Sequence, residues 1–129
     1  MLAKDIMTKQ VTSVGSNITA RELAKIFTKH NISGAPVMDK KGKVAGIVSD
    51  GDILTNKGKR VSSFMSKQII SVAEDASVEE IANLMTAYKI KRVPVLSGEK
   101  LVGIVSRADI VRAVAMGEHI AMHTPIYDL

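Results

Sequence analysis

The sequence predicts an α/β (α+β) fold of two β-α-β-β-α repeats, packed through their sheets with pseudo-two-fold symmetry. Three observations carry that prediction. A long stretch recurs with one single-residue gap, each copy has an amphipathic helix behind a capping box, and each copy has a strand–turn–strand pattern with Gly in the turn. The copies divide the chain into residues 1–57 and 58–129.

The repeat is explicit. Ile6-Met-Thr-Lys-Gln-Val-Thr-Ser-Val14 recurs as Phe64-Met-Ser-Lys-Gln-Ile-Ile-Ser-Val72, at an offset of 58. Ala35-Pro-Val37 falls on Val93-Pro-Val95 at the same offset. After the loss of one turn residue, Gly46-Ile-Val-Ser-Asp-Gly-Asp-Ile53 matches Gly103-Ile-Val-Ser-Arg-Ala-Asp-Ile110 at an offset of 57.

Each copy opens on a short β run, Val11–Val14 and Ile69–Val72. A helix follows over Ala20–His30 and over Val78–Lys89. Thr19-x-x-Glu22 and Ser77-x-x-Glu80 mark the starts, because hydroxyl and carboxylate satisfy free backbone N–H groups there. Ala20, Leu23, Ala24 and Phe27, and then Val78, Ile81, Ala82 and Met85, recur at helical spacing. Pro36–Met38 then turns through Asp39-Lys-Lys-Gly42 into Val44–Val48, and Pro94–Leu96 turns through Ser97-Gly-Glu99 into Leu101–Val105. Second helices start at Ser49 and Ser106. Thr55–Arg60 reads as the linker. One copy, below about 60 residues, has too little core to be comfortable alone, and two packed together bury what neither buries by itself.

Composition narrows the function classes. Hydrophobic residues are 46% and aromatics 3%, so the core must be aliphatic with Met as filler. The absence of Cys excludes a disulfide scaffold, a Cys-ligated zinc site and a Cys nucleophile, and agrees with a reducing compartment. No secretory signal pattern or membrane-length apolar run is present, so a soluble cytoplasmic protein is expected. A net charge of +5 suits scattered surface Lys or an anionic ligand. Nucleic acid is the weaker fit, because Phe27, Phe64, Tyr88 and Tyr127 do not interleave with the cations. No dinucleotide or Walker phosphate loop occurs.

Asp5-Ile-Met-Thr8, Phe64-Met-Ser66, the two Pro-Val pairs and the duplicated Gly-Ile-Val-Ser-x-x-Asp-Ile resemble the cystathionine-β-synthase (CBS) domain, here as a tandem pair of the kind called a Bateman module. The resemblance runs from about Lys4 to Met116. It implies a regulatory, non-catalytic module that binds AMP, ADP, ATP, S-adenosylmethionine or a relative in clefts between the repeats, needs no cofactor or metal, forms a disc-like homodimer and controls a partner protein that the sequence does not identify.

Ser49-Asp-Gly-Asp52 and Ser106-Arg-Ala-Asp109 have two readings. Ser-x-x-Asp is a helix cap. A carboxylate at a strand–helix junction also suits vicinal ribose hydroxyls, and the resemblance assigns Asp52 and Asp109 that role, with Ser49 and Ser106 beside ribose or phosphate. Lys91 and Arg92 read as surface residues, but the resemblance turns basic groups there toward phosphate. Arg107 adds another cation suited to it. The first copy has Ser33, Gly34 and Asp50 at the corresponding places, so the expectation is a phosphorylated ligand at Asp109 and an empty site, or a neutral or cationic adenosine derivative, at Asp52. The resemblance further implies composite clefts: Thr12, Ser33 and Gly34 with Ser106 and Asp109, and Ile70 and Arg92 with Ser49 and Asp52. Gly46 and Gly103 fit either a close ligand approach or strand packing.

His119 and His123 are four apart, but no third zinc ligand accompanies them, and a surface pair is expected. An acid–base enzyme built on Asp50, Asp52 and His30 leaves the duplication unexplained, so no enzyme is expected. The alternatives are a structural dimerisation module with degenerate sites, or a basic nucleic-acid-binding protein.

Overall fold

Local capping starts the two principal helices. In the computed structural model, which describes residues 1–121, Thr19 Oγ1 accepts from Glu22 N at 3.2 Å and Glu22 Oε1 accepts from Thr19 N at 3.2 Å. This opens helix α2 (Ala20–His30), which follows the short α1 (Ala3–Ile6) and strand β1 (Val14–Gly15). Ser77 Oγ likewise accepts from Glu80 N at the start of α5 (Val78–Tyr88). Both helices end on a left-handed residue, Asn31 at φ 52° and Lys89 at φ 54°. Leu23 and Phe27 on α2, and Ile81 and Met85 on α5, are buried.

Two three-stranded sheets result. One has the order β1-β2-β3, with β2 (Gly34–Met38) parallel to β1 and antiparallel to β3 (Val44–Ser49). After α3 (Asp50–Thr55) and α4 (Val61–Phe64), the other repeats the pattern with β4 (Val72–Ala73), β5 (Arg92–Ser97) and β6 (Lys100–Ser106), and α6 (Arg107–Ala115) follows.

The opening strands are shorter than the expected Val11–Val14 and Ile69–Val72, for a nonlocal reason. Ile47 exchanges both backbone hydrogen bonds with Ser66, so its partner Pro36 turns its own backbone polar edge toward β1. Pro36 has no N–H to donate, and the β1 ladder stops at Val14↔Val37. Pro94, opposite Ile104, does the same to β4.

The chain divides into two compact units that do not follow the sequence copies. One is Val11–Ile69; the other joins Met1–Gln10 to the chain from Ile70 onward. In the first, Lys59 O accepts from Ala20 N and Val61 N donates to Ile18 O, so the end of the linker segment is built into this unit, and Val61 is fully buried. Its core joins Val14, Leu23, Phe27, Ala35, Val37, Val48 and Val61. In the second, Ala3 N donates to Ala76 O at 2.8 Å, and Ala3 packs with Ile81, Val93, Val95 and Val105.

Those leader segments explain the strand glycines. A Cβ on Gly103 would collide with Met7 Sδ, and one on Gly46 would lie 2.8 Å from both Met65 Sδ and the Ser66 carbonyl. Thr8 pairs with Ile104, and Ser66 with Ile47, at the outer edges of β6 and β3. Close packing of the motif methionines, rather than a ligand, accounts for these two glycines.

Candidate ligand-binding site

In the Val11–Ile69 unit the hairpin register places Gly34 opposite Ser49. Asp50 N donates to Ser33 O at 2.8 Å, which ties the start of β2 to the start of α3. Ser49 is the N-cap. Its N–H donates to Asp52 Oδ2 at 2.9 Å and its hydroxyl donates to the same oxygen at 3.2 Å. Ser33, Gly34, Ser49 and Asp52 therefore meet at one strand–helix junction, with Asp52 half-buried. Asn56 Nδ2 donates to Asp52 O at 2.7 Å and holds the other end of α3.

The second unit repeats this geometry with different charge. Arg92 is opposite Ser106, and Arg107 N donates to Lys91 O at 3.0 Å. Ser106 N donates to Asp109 Oδ2 at 2.8 Å, and Ser106 Oγ accepts from Asp109 N at 3.3 Å. Asp109 is only 5% exposed, a rare state for a carboxylate unless it is paired. Arg112 supplies the pairing through an ion pair to Asp109 Oδ1. Lys91, Arg92, Ser106, Arg107 and Asp109 thus share one junction. Arg112 went unnoticed at the sequence level, although Asp-x-x-Arg is the spacing at which side chains meet on a helix. Its counterpart in the first copy is Thr55.

The capping reading of Ser-x-x-Asp holds in both units. It leaves each carboxylate held by its own N-cap, with further lone pairs on the same group. Thr12 and Ile70 lie just ahead of β1 and β4, half-buried, in coil released by the two prolines. Among the described residues no cluster of His, Asp and Glu could hold a metal, and no helix is long and apolar enough to cross a membrane. His119 is exposed, while His123 and Tyr127 lie outside the described residues.

The CBS domain model matches residues 3–58 and 61–116. The chain belongs to the CBS domain family. L-aspartate semialdehyde sulfurtransferase of Methanocaldococcus jannaschii is 39% identical over 115 residues, which cover 86% of this chain and 23% of that protein. The chain therefore spans less than a quarter of that relative's length. Among solved structures, the CBS domain pair of protein MJ0100 in complex with 5′-methylthioadenosine and S-adenosyl-L-methionine is 37% identical with a TM-score of 0.86, covering 92% of this chain and 98% of that one. CBSX2 in complex with AMP is 26% identical with a TM-score of 0.80, covering 89% and 96%. The mixed α/β fold with two three-stranded sheets is that of these CBS pairs.

Proposed function

We propose that this CBS pair is a non-catalytic regulatory module that senses an adenosine-containing ligand and passes its binding on to a partner protein. The observation that carries the reading is the duplicated junction in which a Ser N-cap orients an Asp carboxylate, at Asp52 and again at Asp109. A carboxylate so held offers acceptors to the two hydroxyls of a ribose, directly at the half-buried Asp52 and, at the buried Asp109, on displacement of Arg112 from Oδ1. The CBS pairs of MJ0100 and CBSX2, with their adenosine-type ligands, support the ligand class.

Charge divides the two junctions. Lys91, Arg92 and Arg107 accompany Asp109, and Arg guanidinium matches phosphate with paired donors. Within its own unit Asp52 has Ser33, Gly34 and Asp50 beside it, which supply no cation; this reading groups the cations by unit and departs from the expected pairing of Arg92 with Asp52. A phosphorylated ligand such as AMP belongs at Asp109, and a neutral or cationic derivative such as 5′-methylthioadenosine or S-adenosylmethionine at Asp52. A cytoplasmic homodimer completes the reading, with the exposed Val111 and Val114 of α6 and Met116 at its C-cap as apolar contact surface.

Calorimetric titration of Asp52→Ala and Asp109→Ala variants tests it. Asp109→Ala should weaken AMP at least about tenfold, the loss of a charge-assisted hydrogen bond, while Asp52→Ala leaves AMP nearly unchanged. Equal loss in both variants would overturn the division. A melting temperature unmoved by every adenosine compound at millimolar concentration would overturn the ligand class.

A further inference from the structure

The two units carry very different charge. Residues 11–69 hold ten Lys and Arg against four Asp and Glu, while residues 1–10 with 70–129 hold eight against nine. The whole positive excess therefore lies on one unit, and part of it is organised. On α2, Arg21, Lys25 and Lys29 follow one another at four-residue spacing, all exposed, on the face opposite Leu23 and Phe27. With Ala24 and Thr28 they line a shallow groove along the helix. None of the three cations forms an ion pair or hydrogen bond among the described residues. The single acid on the helix, Glu22, is held by Thr19.

We propose that this face of α2 docks an acidic helix of a partner protein. Cations four residues apart are separated by about 6 Å along the axis, the pitch at which a second helix presents carboxylates at i, i+4 and i+8. The small Ala24 and Thr28 between them let the two axes approach closely. The charge is a property of this copy and not of the repeat, since α5 has Glu79, Asn83 and Ala87 where α2 has Arg21, Lys25 and Lys29.

That difference also argues against a second copy of this chain as the occupant. A two-fold contact would set the stripe against itself, and α5 offers one carboxylate where three are needed. Nucleic acid fits less well than a protein helix. The aromatic residues of this unit are the buried Phe27 and the half-buried Phe64, so no exposed ring is there for base stacking. A membrane surface would need large apolar side chains beside the cations, and the groove has only Ala24. The proposal stands apart from the ligand reading, because it uses none of the junction residues.

Fluorescence anisotropy tests it on the full chain at low salt, with a labelled synthetic helical peptide bearing Glu at every fourth position over about four turns. The controls are a peptide of the same composition with Glu off that register, and a single-stranded and a duplex oligonucleotide. The in-register peptide should bind at least about fivefold more tightly than the permuted one, the sum expected of a few partly screened ion pairs. Lys25→Glu should remove that advantage, Lys25→Gln should reduce it, and Lys67→Glu, off the helix, should leave it within about twofold. Equal binding of the two peptides, or indifference to Lys25→Glu, would overturn the proposal. So would oligonucleotide binding tighter than the peptide and lost on Lys25→Glu, which would give the face to nucleic acid.

Discussion

Four single residues carry consequences beyond their own positions. Gly46 and Gly103 lie under Met65 and Met7, but the two contacts differ in what can yield. At Gly103 the obstruction is the Met7 side chain; at Gly46 it includes the Ser66 carbonyl, which is fixed by its bond from Ile47 N at 2.9 Å. Gly46→Ala should cost about 2–3 kcal/mol in denaturant unfolding and Gly103→Ala about 1 kcal/mol, with Met7→Ala relieving part of the second in a double-mutant cycle. Asp39 lies in the first hairpin turn, where the Lys43 N–H and then the Lys41 N–H donate to its carboxylate and hold its pKa below the ordinary carboxylate value. A carboxyl depressed in the folded state contributes stability above its unfolded pKa and loses it as pH falls through the folded one. The Asp39 carboxyl resonance should therefore titrate at lower pH than that of an unstructured peptide of the same turn sequence. A midpoint at or above the peptide's would contradict the assignment. Arg112 pairs with Asp109 and has only Thr55 as its counterpart, so Arg112→Ala should alter ligand binding at the Asp109 junction alone.

At the scale of elements, the helix ends are the sites where sequence and backbone disagree most. Both α2 and α5 terminate on a left-handed residue that is not Gly, and Lys pays a larger steric penalty there than Asn. Lys89→Gly should stabilise the chain by about 0.5–1 kcal/mol, and Asn31→Gly by less, read from the denaturant midpoint. The starts of these helices were legible because Thr19/Glu22 and Ser77/Glu80 act within one turn of chain. The hairpins were legible too, since Gly42 and Gly98 mark their turns and the offset between copies aligns their strands. The short β1 and β4 were overextended, because the missing N–H of Pro36 or Pro94 acts on a partner strand more than twenty residues away in sequence. Helices α1 and α4, four residues each, are too short to show a period. Of the candidate site, the Ser-x-x-Asp junctions follow from aligning the copies. That Ser33 and Gly34 lie beside Ser49, and Lys91 and Arg92 beside Ser106, is set by the hairpin register within each unit, whereas the resemblance grouped Ser33 and Gly34 with Asp109 and Arg92 with Asp52. The Asp109–Arg112 pair does not, because Arg112 has no repeat partner to draw attention to it.

At the scale of the whole molecule, the leaders are exchanged. The segment opening the first sequence copy completes the unit that holds the second copy's sheet, and residues 59–66 complete the other. Each leader brings the same three parts: a buried small apolar residue (Ala3 or Val61), a Met over a strand Gly, and a Thr or Ser that pairs with the outer strand edge. An edge so paired is withheld from association with other chains. Removal of residues 1–9 should therefore strip one unit and spare the other. It deletes the bonds from Ala3 to Ala76 and between Thr8 and Ile104, opens the apolar cluster around Ile81, Val93, Val95 and Val105, and exposes the β6 edge. The Val11–Ile69 unit keeps its own leader and its core. Hydrogen exchange resolved by residue should show protection lost at Val95, Ile104 and Val105 and retained at Val37, Ile47 and Val48, because local stability follows each unit's own buried contacts. Loss spread evenly over both sets would mean that the units fold only as one cooperative block, and that the leader's contribution reaches well past the sheet it pairs with.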